Sequence, residues 1–132
     1  MSLDEYSHAR GEDFHACGGS VTSHVTEDIA NGTRLLIGAT IVLATEQEAI
    51  LEIDEVVVAR VDGEHRFRYA YRFLFEGRMI FGYDRDPVNH PGMPEHKHIG
   101  DRRIGSGPVG FRAFVEEVWD WIRERPEQIR ER

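Results

Sequence analysis

From His65 to Phe75 the chain reads HRFRYAYRFLF, and no other stretch constrains the fold as strongly. Its two-residue period puts Phe67, Tyr69, Tyr71, Phe73 and Phe75 on one side of an extended segment and Arg66, Arg68, Ala70 and Arg72 on the other. RMIFGYD follows after Glu76 and Gly77 and reads as the return strand of a hairpin. A two-residue turn would set Phe75 opposite Arg78 and send Met79, Phe81 and Tyr83 to the arginine face. A three-residue loop, with Gly77 taking the positive φ of a type I turn plus bulge, pairs Phe73 with Met79, Tyr71 with Phe81 and Tyr69 with Tyr83. Burying one such side chain is worth about 1.5 to 3 kcal/mol, so the second register is expected. It also sets Arg68 opposite Asp84.

Two further strands precede the hairpin. TRLLIGATIVLAT alternates Leu35, Ile37, Ala39, Ile41 and Leu43, and AILEIDEVVVARV is β-branched and long enough to pair with it. What covers the aromatic face is supplied by GPVGFRAFVEEVWDWIRERP, where Phe111, Phe114, Val115, Val118, Trp119 and Ile122 form the stripe of an amphipathic helix. Ser106 is expected to cap this helix and Pro126 to stop it. The fold class that follows is α+β: an antiparallel β meander of about four strands with a C-terminal amphipathic helix packed on one face. Residues 1–30 are polar, with a short helical or strand piece around SVTSHVTEDIA, and their composition suggests a mobile lead-in; residues 31–132 form a single α+β domain.

The net charge of -8 excludes a protein that coats nucleic acid indiscriminately, but the charge is unevenly spread. Residues 1–58 hold two arginines against eleven carboxylates, whereas residues 59–112 hold ten cations against seven carboxylates. The central third can therefore meet phosphate. Arg66, Arg68 and Arg72 form a candidate phosphate-tracking, substrate-binding stripe, with a solvated face of cross-strand ion pairs as the competing reading. No run of about 18 apolar residues and no secretory signal appear, so a soluble, cytoplasmic protein away from the membrane is expected. Cys17 is the single cysteine and cannot form an intrachain disulfide. His15, Cys17 and His24 match no strong zinc spacing, and Trp121 departs from the helix stripe and reads as a rim or homo-oligomer contact.

The segment YDRDPVNHPGMPEHKHIGDRR, joining the return strand to the helix, holds the remaining chemistry. In an extended run His96 and His98 project to one side, about 7 Å apart at Cβ, with Lys97 directed away. Two imidazoles so placed serve as general base and general acid for phosphodiester chemistry, a nearby cation offsetting the developing charge. Alternatively His90, His96 and His98, with Asp84 or Asp86, supply the ligands of a divalent transition metal. The third reading is a solvated, proline-stiffened loop. Spacing alone leaves all three open.

The tyrosine-rich strand FRYAYRF, the return strand ending in YD, and the loop NHPGMPEHKHI followed by a helix resemble the TumE-like family, toxin components of toxin-antitoxin pairs, over roughly Leu35 to Arg123. In that family the aspartate is followed by asparagine and the first loop proline by two histidines; here Arg85 and Asn89 stand at two of those positions. Asp84, His90, His96, Lys97 and His98 carry over. The resemblance implies a small toxin held inactive by a cognate antitoxin protein, with nuclease-like activity. The reading it supports is RNA cleavage without a cofactor: His96 and His98 exchange protons with the 2′-hydroxyl and the leaving 5′-oxygen, Lys97 or Arg68 offsets charge at phosphorus, and Asp84 orients a histidine. The alternative is a non-catalytic module that binds a protein partner.

Overall fold

The computed structural model describes residues 2–29, 31–60 and 63–125. Its centre is the set of strands expected from the alternating segments: β2 (Arg34–Leu43), β3 (Ala49–Arg60), β4 (Gly63–Phe75) and β5 (Arg78–Arg85), preceded by β1 (Gly19–Asp28) and followed by β6 (Glu95–Ile99) and β7 (Arg102–Gly105). Each strand pairs antiparallel with its neighbours in sequence, giving one seven-stranded meander. The expected count of about four strands is therefore too low. The three additional strands lie outside the four in the sheet order, and none buries an apolar row: β1 is exposed at nearly every position, and β6 and β7 are composed mainly of His, Lys and Arg. Edge strands of this kind have no hydrophobic alternation to reveal them.

Two helices cover one face of the sheet. Helix α1 (Leu3–His15) starts on a capping box, in which Ser2 and Glu5 bond each other's backbone N–H, and buries Leu3 and Phe14. Residues 1–30, expected to be a polar lead-in, thus contribute a helix and a strand. Only three large apolar side chains, Leu3, Tyr6 and Phe14, mark α1 in sequence, too few for a visible stripe. Helix α2 (Phe111–Arg123) inserts Phe111, Phe114, Val118 and Ile122 as its spacing requires. Its N-cap is Gly110, with no side-chain cap bond, rather than Ser106, whose hydroxyl bonds Gly107 O instead. Glu124 caps the other end, and Pro126 lies outside the described residues.

The hairpin joins its strands by a route the sequence did not show. The turn has two residues, Glu76 (φ 51°) and Gly77 (φ 76°), and Phe75 faces Arg78. An irregularity next to Ile80 then re-phases the return strand, so that Phe73 pairs with Phe81, Tyr71 with Tyr83 and Tyr69 with Arg85. Phe81 and Tyr83 still share the face of Tyr69, Tyr71 and Phe73, as the burial argument demands, but two places away from the expected register. Ala70, not Arg68, stands opposite Asp84. A second bulge, between Val56 and Val57 where β3 meets β4, leaves Phe67 without an opposite residue and turns Arg66 to the aromatic face.

That face is dense with polar contacts as well as rings. Glu55, 1 % exposed, accepts hydrogen bonds from Tyr6 (2.8 Å), Arg10 (3.1 Å) and Tyr71. Burial and then the Glu55 charge raise Tyr71 well above the ordinary tyrosine value. Arg66 donates to Tyr71 Oη (3.0 Å) and Val109 O (2.8 Å) and lies over the Tyr69 ring. Trp121, read from sequence as a rim contact, packs edge-on against Phe73 and Phe75.

Candidate functional site

Among the described residues the second face of the sheet carries no helix, and the strand pairing lays its side chains out in rows. One cross-strand row runs Asp54, Ala70, Asp84, His96, Gly105; the next runs Glu52, Arg72, Gly82, His98, Arg103. Adjacent strands are about 4.8 Å apart, so Asp84 stands directly beside His96 and diagonal to His98. Its carboxylate holds both: Oδ2 lies 2.8 Å from His98 Nε2, and Oδ1 lies 3.5 Å from His96 Nδ1. The first is a hydrogen bond. The second is beyond good hydrogen-bond geometry, and both of its atoms are buried without another partner. The His96 side chain is 6 % exposed, while those of His98 and Asp84 are about one-third exposed.

The loop before β6 brings His90 to this cluster. Asp86 organises that loop by accepting from the Asn89 side chain (2.7 Å) and backbone (3.1 Å), and these bonds hold its carboxyl below the usual range. His90 N in turn bonds Asp86 O, and the His90 ring meets His96 edge-on at 4.9 Å. Asn89 thus fastens the turn. Among the described residues no group of three or more His, Cys, Asp or Glu side chains is arranged to hold a metal ion.

Not every sequence-selected residue joins the cluster. Lys97 lies between the histidines on β6, so alternation sends it to the helix-covered face, where Nζ bonds Glu117 at 2.6 Å beneath α2. Burial pulls its pKa down, but bonds to Glu117 and Tyr83 outweigh this and leave it above the ordinary lysine value. Arg66 is likewise on the covered face, displaced by the β3–β4 bulge. Arg68 and Arg72 remain on the open face in loose ion pairs, Arg68 with Asp86 and Arg72 with Asp54, each at 3.6 Å. His15 is exposed, and Cys17 is buried beside Phe14.

Gly82 is the residue sequence reading passed over. It separates Arg72 from His98 in their row, and a Cβ there would come within 2.7 Å of Tyr71 O, so only glycine fits. The missing side chain leaves a gap of about 160 Å3 edged by Arg72, Met79, Asp84 and His98. A glycine within a strand, two residues before the aspartate, is the signal that marks such a gap. A larger depression of about 370 Å3 lies next to it over Ala70, with Asp84 and Arg72 common to both.

A family model described as Toxin TumE matches residues 14–126. No curated protein matches the chain. No solved structure matches it either. No helix among the described residues is long and apolar enough to cross a membrane.

Proposed function

Because the chain belongs to the TumE toxin family, and a toxin of that family implies an antitoxin partner, we propose that it arrests growth by cutting RNA at the open sheet face. The observation that carries this reading is the Asp84 carboxylate bonded to His98, with the His96 ring next to it, at a gap edged by Arg72. Asp84 fixes one nitrogen of His98 and leaves the other for substrate, the arrangement by which a carboxylate orients a general base. A phosphodiester seated over Gly82 lies between the Arg72 guanidinium and the His98 ring. His98 takes the proton of the 2′-hydroxyl, whose oxygen bonds to phosphorus as the bond to the 5′-oxygen breaks. His96 returns a proton to that leaving oxygen. The products are a 2′,3′-cyclic phosphate and a free 5′-hydroxyl. Arg72, with Arg68 beyond it, offsets the charge that grows on the phosphoryl oxygens.

Purified protein incubated with end-labelled RNA tests this directly, read alongside growth after induced expression. Wild type is expected to produce cyclic-phosphate ends and arrest growth. His98→Ala and Asp84→Asn should do neither while remaining folded. Intact RNA during growth arrest, or variants as toxic as wild type, would overturn the reading in favour of a surface that acts by binding a protein.

A further inference from the structure

The depression over Ala70 adjoins the histidine cluster and shares Asp84 with it. Leu36, Val56 and Ala70 form the apolar part of its floor, and around them stand Arg68 and Arg72 with the carboxylates of Asp54, Asp84 and Asp86. Ala70 is flanked in its row by Asp54 on one side and Asp84 on the other, so the small side chain creates the hollow in the same way that Gly82 creates the gap beside it. At about 370 Å3 the hollow stands near the lower end of small-molecule sites, about 300 to 1000 Å3. That suits one planar ring system rather than a stacked run of bases.

We propose that this hollow seats a single unstacked nucleobase next to the scissile phosphate, so that the substrate is single-stranded RNA read at one base, with guanine the best fit. The inference rests on the RNA-cleaving activity proposed above. A base in an A-form helix is stacked on both sides and cannot enter a hollow of this kind, whereas a base in a single strand can turn out onto an apolar floor. Arg68 and Arg72, both nearly half exposed, bring to the rim the planar guanidinium groups on which a base can stack. The choice of base falls to Asp54. Its carboxylate is 63 % exposed and meets Arg72 at 3.6 Å, and it offers two acceptor oxygens at the rim. Guanine presents two adjacent N–H donors on its Watson–Crick edge and is the only standard base that meets both oxygens at once. Neighbouring rows on one sheet face are about 7 Å apart, which puts the base over Ala70 and its phosphate over Gly82 within one nucleotide's reach.

The test is a set of single-stranded oligoribonucleotides that differ only in the bases flanking one cleavable bond, with inosine included and a duplex of the same sequence. Wild type is expected to cut the guanine-flanked strand at least about tenfold faster than the others, inosine in between because it lacks the second donor, and the duplex least. Asp54→Ala should level the guanine preference. Ala70→Met, which fills the hollow, should weaken cleavage of every single strand, with unfolding measured separately to show a native fold. Equal cutting of duplex and single strand, or an unchanged base profile in both variants, overturns the base seat while leaving the nuclease intact. If wild type cuts no RNA of any sequence, the proposed activity falls, and the base seat falls with it.

Discussion

The two faces of this sheet treat ionisable groups in opposite ways. On the covered face, Glu55 accepts from three donors, Glu95 is shared by Tyr69 and Arg85, and Glu117 by Tyr83 and Lys97. Each carboxylate there is saturated by neighbours on at least two different elements. On the open face Asp84 Oδ1 and His96 Nδ1 are buried with no good partner and the two Arg–Asp pairs are loose, whereas the covered face leaves only single atoms such as Arg85 Nε unpaired within otherwise bonded groups, among the described residues. Polar groups that complete each other stabilise a fold; polar groups left incomplete cost stability and persist where a ligand completes them. The contrast sets a bonded, structural face against the face on which the proposed chemistry sits.

The strongest way to break the contrast is to remove a carboxylate from each face. Glu55→Ala leaves Arg10 charged and Tyr6 and Tyr71 without their acceptor in the interior, and breaking a buried pair in this way costs about 3 to 5 kcal/mol. Denaturant titration should show most of the domain's stability gone, and growth arrest lost through unfolding. Phe114→Ala, at a fully buried ring between Tyr71 and Phe81, should cost about as much, 3 to 5 kcal/mol. Asp84→Asn should change stability by less than about 1 kcal/mol, because its hydrogen-bond partner His98 is about one-third exposed and its contact with the buried His96 is too long for a hydrogen bond. If Asp84→Asn unfolded the protein as readily as Glu55→Ala, the two faces would not differ in kind.

Activity should sort the opposite way. Removing a positioned acid or base lowers a rate by about 100- to 10,000-fold, and His98→Ala should show such a loss in an RNA-cleavage assay at near-native stability. Lys97→Met should leave cleavage almost unaltered and lower stability modestly, since Lys97 serves Glu117 and Tyr83 on the far face. A rate loss in Lys97→Met matching that in His98→Ala would mean that the alternation of β6 does not separate the two roles. Arg72→Gln should weaken RNA binding and reduce the salt slope by about one unit, the signature of a lost phosphate contact.

How much of this was readable beforehand depends on the kind of signal each residue carries. The four central strands and α2 were legible because their apolar residues repeat with the period of the element and meet a partner face. The alternation of His96, Lys97 and His98 carried the division of faces too, once the segment was taken as extended. Three things were hidden. β1 and β7 bury almost nothing, β6 buries only the polar Glu95 and His96, and α1 buries too little to show a stripe. Bulges are single-residue events that reverse every side chain beyond them, which is why Arg66 lies on the covered face and why Asp84 faces Ala70. Gly82 has no side chain to attract notice, although its absence of bulk opens the gap next to His98.

Cys17 supplies the finest test of how well the covered face is sealed. The thiol is 7 % exposed and donates to Phe14 O at 3.1 Å, and burial pushes its pKa up to about 11 from an ordinary value of 9.0. A native pKa above the unfolded one means that the fold favours the neutral thiol. This contribution is fully present below about pH 9 and is lost as pH rises through about 11. At pH 8 a shift of two units lowers the thiolate fraction about 100-fold, and the thiolate is the reacting form. Alkylation by iodoacetamide should therefore be at least about 100-fold slower in native protein than in urea, and should quicken as pH approaches 11. Equal rates in the two states would show that the end of α1 opens freely, and the covered face would then be no better sealed than the open one.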